Sequence, residues 1–176
     1  DIHLTRSTDR GRHWQTSLLP HRDGTASEHG FVSLLPAGKD RVLAIWLDGR
    51  NTATPAGSDH AHDDHHGATT LRRAGIDRRG RLHEESEIDA RTCDCCNTDA
   101  ARIGNESLIV YRDRSEDEIR DIAFSRRQRS GDWTSPAIVH NDRWKISGCP
   151  VNGPALAVNN DRALAAWTLL AIPLAS

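Results

Sequence analysis

The sequence predicts an all-β chain assembled from repeated sheet units, and three observations carry that expectation. Short apolar stretches with β-branched or aromatic tips recur at residues 40–46, 106–111 and 161–167; each stops at polar or turn-forming residues, as a buried strand does. Gly, Asn, Asp or Pro punctuation falls about every ten residues between them, and no stretch sustains an i, i+3, i+4 apolar stripe with caps at both ends. The aromatic tips Trp46, Tyr111 and Trp167 return roughly every 60 residues, somewhat above the roughly 40–50 of familiar propeller repeats, which suits four-stranded blades with long loops.

Taken in order, residues 2–7 read as a strand leading to a turn at Gly11 and to Trp14. Residues 40–46 form the first inner strand. Residues 70–74 lead to Gly80 and Leu82 before the second inner strand at 106–111. Residues 122–126 lead to Gly131 and Trp133 before the third at 161–167. The order is strand, turn, strand and longer connection, three times over. An irregular β-sandwich is the competing arrangement.

Composition bounds the function. The chain has 23 basic and 25 acidic residues and 36% hydrophobic content, ordinary for a globular protein and too apolar for a disordered one. A net charge of −2 removes the electrostatic footprint that nucleic-acid binding needs. Lys39 and Lys145 are the only lysines; the remaining basic residues are arginines, whose planar fork suits carboxylates. No apolar run reaches the roughly 20 residues of a membrane span. No signal peptide opens the chain. With Asp at position 1 and no Met, the sequence reads as a processed product or a fragment, and an export signal would lie outside it.

The first motif with a mechanism is Ser7-Thr8-Asp9-Arg10-Gly11-Arg12-His13-Trp14. Ser and Asp side chains bond turn amides, Gly takes the conformation other residues resist, and Trp supplies a packing surface. This stretch resembles the Asp-box, or bacterial neuraminidase repeat, of sialidase-type β-propellers. The resemblance implies a structural role for Ser7, Asp9, Gly11 and Trp14, with the tryptophan packed beneath the hairpin and no catalysis at Asp9. A degraded copy runs from Ser125 to Gly131-Asp132-Trp133, and another keeps Asp77 and Gly80.

The likeness extends to Asp23-Gly24-Thr25, Glu28-His29-Gly30-Phe31-Val32-Ser33, Trp46-Leu47-Asp48-Gly49-Arg50, Cys93-Asp94-Cys95-Cys96, Tyr111-Arg112-Asp113-Arg114-Ser115, Glu118-Ile119-Arg120-Asp121-Ile122 and the Trp144 to Pro154 stretch. These are similar to a bacterial group of sialidase-like exported proteins. The similarity covers most of residues 1–168, while 169–176 diverge. It implies a partial propeller of about three blades out of six, with the rest of the ring elsewhere, and a periplasmic or extracellular location.

Polar residues that follow the inner strands are the candidate site. Asp48 and Arg50 follow Trp46; Arg112, Asp113 and Arg114 follow Tyr111; Lys145 and Asn152 precede the third inner strand. A sialidase needs an arginine clamp on the substrate carboxylate, an acid/base Asp and an activated Tyr. Arg50, Arg112 and Arg114 would supply the clamp and Asp48 or Asp113 the acid, for an acidic or polyhydroxylated glycan. The same charges also suit an ion-pair network bracing neighbouring loops. The Arg-Ile-Pro motif of sialidases is represented only by Arg102-Ile103-Gly104, and Tyr111 aligns with core aromatics. True sialidase activity is therefore not expected of this stretch.

Cysteines and histidines form the other candidates. Cys93, Cys95, Cys96 and Cys149 allow a bridge from the cluster to Cys149, a Cys95–Cys96 bridge, a Cu(I) or Zn²⁺ thiolate site, or a reactive thiol. Cys-x-Cys-Cys lacks zinc-ribbon spacing, which favours a disulfide. His60, His62, His65 and His66 crowd one loop with Asp59, Asp63 and Asp64, a composition that binds Zn²⁺, Cu²⁺ or Ni²⁺ and equally suits a solvated loop. His29 and His140 stand alone and are expected to bond locally. No cofactor is required. Two functions follow: a carbohydrate-active or glycan-binding protein, or a non-enzymatic exported scaffold that handles Cu or Zn.

Overall fold

The computed structural model describes residues 1–52, 67–146 and 148–169. The chain is all-β, and among the described residues its only helical element is the 3₁₀ turn Arg50–Thr52. It divides into two compact units, Asp1–Ala90 and Arg91–Ser176. Among the described residues no sheet closes on itself and no helix is long and apolar enough to cross a membrane.

In the first unit, β1 (His29–Pro36), β2 (Arg41–Asp48), β3 (Thr70–Asp77) and β4 (Leu82–Asp89) form an antiparallel meander in chain order. β2 carries Leu-Ala-Ile-Trp-Leu without alternation, and all residues from Leu43 to Asp48 are buried. A continuous apolar run of this kind is what a central strand covered on both faces requires. Ile2, Ala44, Trp46 and Ala74 form the core, with Leu4, Val32, Ile76 and Leu82 packed against it; each large apolar side chain so buried is worth about 1.5–3 kcal/mol. β4, His-Glu-Glu-Ser-Glu in its middle, is half exposed, and its charge protects the sheet edge. In the β3–β4 turn, Asp77 Oδ1 accepts the amides of Arg79 and Arg81 at 2.8 and 3.0 Å, and Gly80 sits at φ 75°.

The turn at residues 7–14 is held by Ser and Asp side chains bonded to its amides. Ser7 Oγ accepts the Gly11 amide at 2.8 Å, and Asp9 Oδ1 those of Arg12 and His13 at 3.1 and 3.0 Å. Gly11 takes φ 83°, a conformation costly for residues with a Cβ. Trp14, expected beneath the hairpin, is 63% exposed; its ring lies over the Gly11 turn. The strand expected at residues 2–7 is reduced to a single bridge, Leu4 with Leu18.

In the second unit, β5 (Asp99–Ile103), β6 (Glu106–Arg112), β7 (Ile122–Arg127) and β8 (Ala137–Ile138) repeat the same order, and β9 (Ala155–Asn159) pairs with β10 (Arg162–Ala166). β6 corresponds to β2: Ile109, Val110 and Tyr111 are buried, with Tyr111 at 0% exposure like Trp46. Tyr111 is thus a core aromatic. The third inner strand departs from expectation, because β10 is mostly exposed and Trp167 lies beyond its end, donating Nε1–H to Asp142 at 2.8 Å. The histidines His60, His62, His65 and His66 and residues 170–176 of the divergent tail lie outside the described residues.

Candidate functional site

The cysteine cluster occupies the loop before β5 in the second unit. The Cys93 amide donates to the Arg112 carbonyl at 3.0 Å, which pins this loop to the end of β6. Asn97 clasps a second loop: its Oδ1 accepts the Gly153 amide at 2.8 Å and its Nδ2 donates to the Pro154 carbonyl at 3.2 Å. A Cβ at Gly153 would stand 1.8 Å from the Asn97 carbonyl oxygen, so only glycine permits this approach. The two loops are joined covalently by the disulfide Cys95–Cys149, whose Cα atoms are 6.1 Å apart.

Cys93 and Cys96 remain thiols, both buried. Cys93 Sγ lies 3.8 Å from Cys95 Sγ, and Arg120 Nη1 approaches Cys93 Sγ at 3.4 Å. The hydrogen bond from the Cys96 thiol pulls the Cys93 thiol well below its ordinary range; burial opposes this, and the Cys95 amide and Arg120 reinforce it. Cys96 moves the other way, raised by its bond to Cys93 and by burial. Of the two, Cys93 is therefore the more acidic thiol. A thiolate is both the nucleophilic and the metal-binding form of cysteine.

Arginines enclose the cluster. Arg112 is 1% exposed and donates to the Asn152 carbonyl and side chain at 2.9 and 2.7 Å, to the Arg120 carbonyl at 2.6 Å and to the Thr168 carbonyl at 3.1 Å. Its guanidinium also lies 4.7 Å from the centre of the Trp144 ring. Arg120 is paired with Glu118 at 2.8 Å, and Glu118 is shared with Arg114 at 2.8 Å. The Asp113 amide donates to the Asp121 carbonyl at 2.9 Å. Asp121 in turn accepts the amides of Arg143 and Trp144 at 3.0 and 2.9 Å.

Asp48 and Arg50 belong to the first unit. Asp48 is fully buried; it accepts from Trp46 Nε1 at 2.7 Å and takes a bidentate bond from Arg50 at 2.7 and 2.8 Å. Burial works against its charge, yet the Arg50 and Trp46 bonds prevail and hold the carboxyl below its usual range. A general acid needs the opposite displacement. Arg50 continues to Glu85 at 2.8 Å. A cavity of about 740 Å³, lined by Leu4, Arg6, Leu18, Val42, Ile76 and Gly80, lies at the other end of β2 and β3 from Asp48.

Several residues that matter here were not singled out by sequence reasoning. Asn97 acts through loop contacts across many residues, and no local pattern marks it; Arg120 and Asp121 stand in a stretch that carries the family likeness, with no role assigned to them there. His21 carries no such mark either, and Asp23 enters only as part of the likeness. Fold and site together define an all-β protein with a buried dithiol set beside a disulfide. No protein-family model, curated protein or solved structure matches the chain.

Proposed function

We propose that the chain belongs to an exported sialidase-type β-propeller whose chemistry lies in its cysteines, and that it holds a soft cation, Cu(I) or Zn²⁺, on thiolates. The observation that carries this reading is the convergence of Cys93, Cys95 and Cys96, whose sulfurs lie within 4.8 Å of one another. Thiolate sulfur selects Cu(I) and Zn²⁺ over hard cations. With the bridge in place, Cys93 and Cys96 offer two sulfurs. A dithiol reductant that gives two electrons and two protons to Cys95–Cys149, itself becoming a disulfide, frees Cys95 as a third. Arg112 and Arg120 offset the negative charge of the resulting metal–thiolate group.

Two consecutive four-stranded meanders, each with a buried aromatic in its second strand, support the propeller assignment. The disulfide supports export, since such bridges persist in oxidising compartments. The reduced chain should take up about one Cu(I) in competition with a chromogenic chelator, and the C93S/C96S variant should lose it. Failure of the reduced parent chain to compete would overturn the metal reading.

A glycan ligand is the second reading. It is favoured by Arg50 in one unit and Arg114 in the other, whose side chains retain 19% and 28% exposure. A panel of sialosides and uronic-acid glycans tests it, and absence of both turnover and binding ends it.

A further inference from the structure

The cysteines lie in an order that supports a second chemistry, one that needs no metal. Cys93 is fully buried, Cys95 is half-buried and Cys149 is exposed. The chain turns at Asp94-Cys95, and the turn carries the Cys95 sulfur back to 3.8 Å from that of Cys93, near van der Waals contact. Cys93 is therefore a free thiol set against one sulfur of the disulfide Cys95–Cys149.

Thiols exchange with disulfides by attack of one sulfur on another, and access decides which sulfur of the bridge is attacked. Access here is one-sided. The Cys93 sulfur lies within 4.8 Å of those of Cys95 and Cys96, whereas Cys149 groups with Asp94 and Cys95. Attack on Cys95 expels its bridge partner, so the sulfur released is that of Cys149, the one at the surface. The Cys93 amide donates to the Arg112 carbonyl at 3.0 Å and Thr92 bridges to Asp113, which holds the attacking residue in position. Arg120 Nη1, 3.4 Å from Cys93 Sγ, places positive charge beside the sulfurs that share negative charge as the bond passes between them.

Opening the bridge does not require opening the fold. The two loops it joins keep the bonds from Asn97 to Gly153 and Pro154, and the Leu156 amide donates to Asp99 Oδ2 at 2.7 Å. Arg112 holds Asn152 as well. Cys149 follows Gly148, where an added Cβ would meet nothing within 4 Å, so the released residue has room to move.

We propose that the chain carries a thiol–disulfide exchange centre in which Cys93 displaces Cys149 from Cys95, leaving an inner Cys93–Cys95 bridge and a surface thiol at Cys149. One S–S bond breaks and one forms. The proton lost by Cys93 is regained by Cys149 through water, and no electron leaves the chain, so no outside oxidant or reductant takes part. The exposed Cys149 thiol is then the group that meets an outside disulfide or a thiol-reactive electrophile. The centre shares its cysteines with the metal reading but rests on sulfur geometry alone.

The test uses the oxidised full chain with a chelator and without reductant, so its outcome is independent of Cu(I) uptake by the reduced chain. The folded chain is incubated at neutral pH with iodoacetamide, quenched in acid, unfolded and treated with a maleimide of different mass. Trypsin leaves Cys93, Cys95 and Cys96 on residues 92–102 and Cys149 on residues 146–162. Mass spectrometry therefore separates the two pairings: linked peptides before exchange, and afterwards an internal bridge in 92–102 with a labelled Cys149. The first label should accumulate on Cys149 as the linked peptides disappear, at a rate independent of protein concentration. Cys93→Ser should slow that labelling about tenfold or more. The mapping of the parent decides the matter even where Cys93→Ser fails to fold. A parent that keeps its linked peptides and leaves Cys149 unlabelled, a parent with all four cysteines already blocked, a rate that rises with protein concentration, or a folded Cys93→Ser chain labelled like the parent would each overturn the proposal.

Discussion

Replacing Arg112 by methionine separates a ligand clamp from a structural brace. The guanidinium is 1% exposed and donates four hydrogen bonds to Asn152, Arg120 and Thr168. Methionine keeps much of the volume and none of the donors. A net contribution of about 1 kcal/mol per hydrogen bond, with roughly 0.5–1 kcal/mol from the guanidinium over Trp144, puts the loss at about 5 kcal/mol. That is a large part of the roughly 5–15 kcal/mol that holds a domain together. Arg112→Lys should recover little, because an ammonium cannot reproduce a planar fork directed at several acceptors. Urea unfolding followed by tryptophan fluorescence measures the change, with the slope checked to be constant. If Arg112→Met lies within about 1 kcal/mol of the parent, Arg112 is not the brace described here.

Three further outcomes follow from the same contacts. Removing the guanidinium beside Cys93 in Arg120→Met should move the thiolate titration, read by ultraviolet absorbance, to higher pH, and an unmoved midpoint would refute the role given to Arg120. Asp9 is held down to about 2 from an ordinary 3.8, first by the His13 amide and then by the His13 ring and Ser7 hydroxyl; a depressed acid contributes in full above its ordinary value and loses that contribution as pH falls through about 2, so acid titration of Asp9→Asn should lack the parent's stability loss in that window. Gly153→Ala forces a Cβ to 1.8 Å from the Asn97 carbonyl oxygen and should cost about 3 kcal/mol or more through displacement of the clasped loops; a melting temperature equal to the parent's would contradict the packing described.

Legibility varied with the range of the contact. The turn at residues 7–14 was readable because its bonds span only a few residues, Ser7 to Gly11 and Asp9 to His13. Trp14 was misplaced because its packing depends on what lies across the hairpin, which the eight-residue motif does not encode. Arg112 and Asp48 were found as charged residues after inner strands, but their contacts in the fold are internal. His29 looked isolated because its companions are Asp48, across the β1–β2 pairing, and His21, across an Asp23 turn.

By itself the sequence determined the inner strands β2, β3, β6 and β7 of the two meanders, since a buried strand must be apolar and a turn must supply Gly, Asp or Asn. It also determined that four cysteines and several charged residues were available for chemistry. Only the tertiary structure decided which cysteine bridges Cys149, which of the two remaining thiols is the more acidic, and which charged side chains pair inside the fold. Those outcomes turn on separations of 3–4 Å between residues far apart in the chain. Sheet register and loop clasps set such separations, and neither is written in any local stretch.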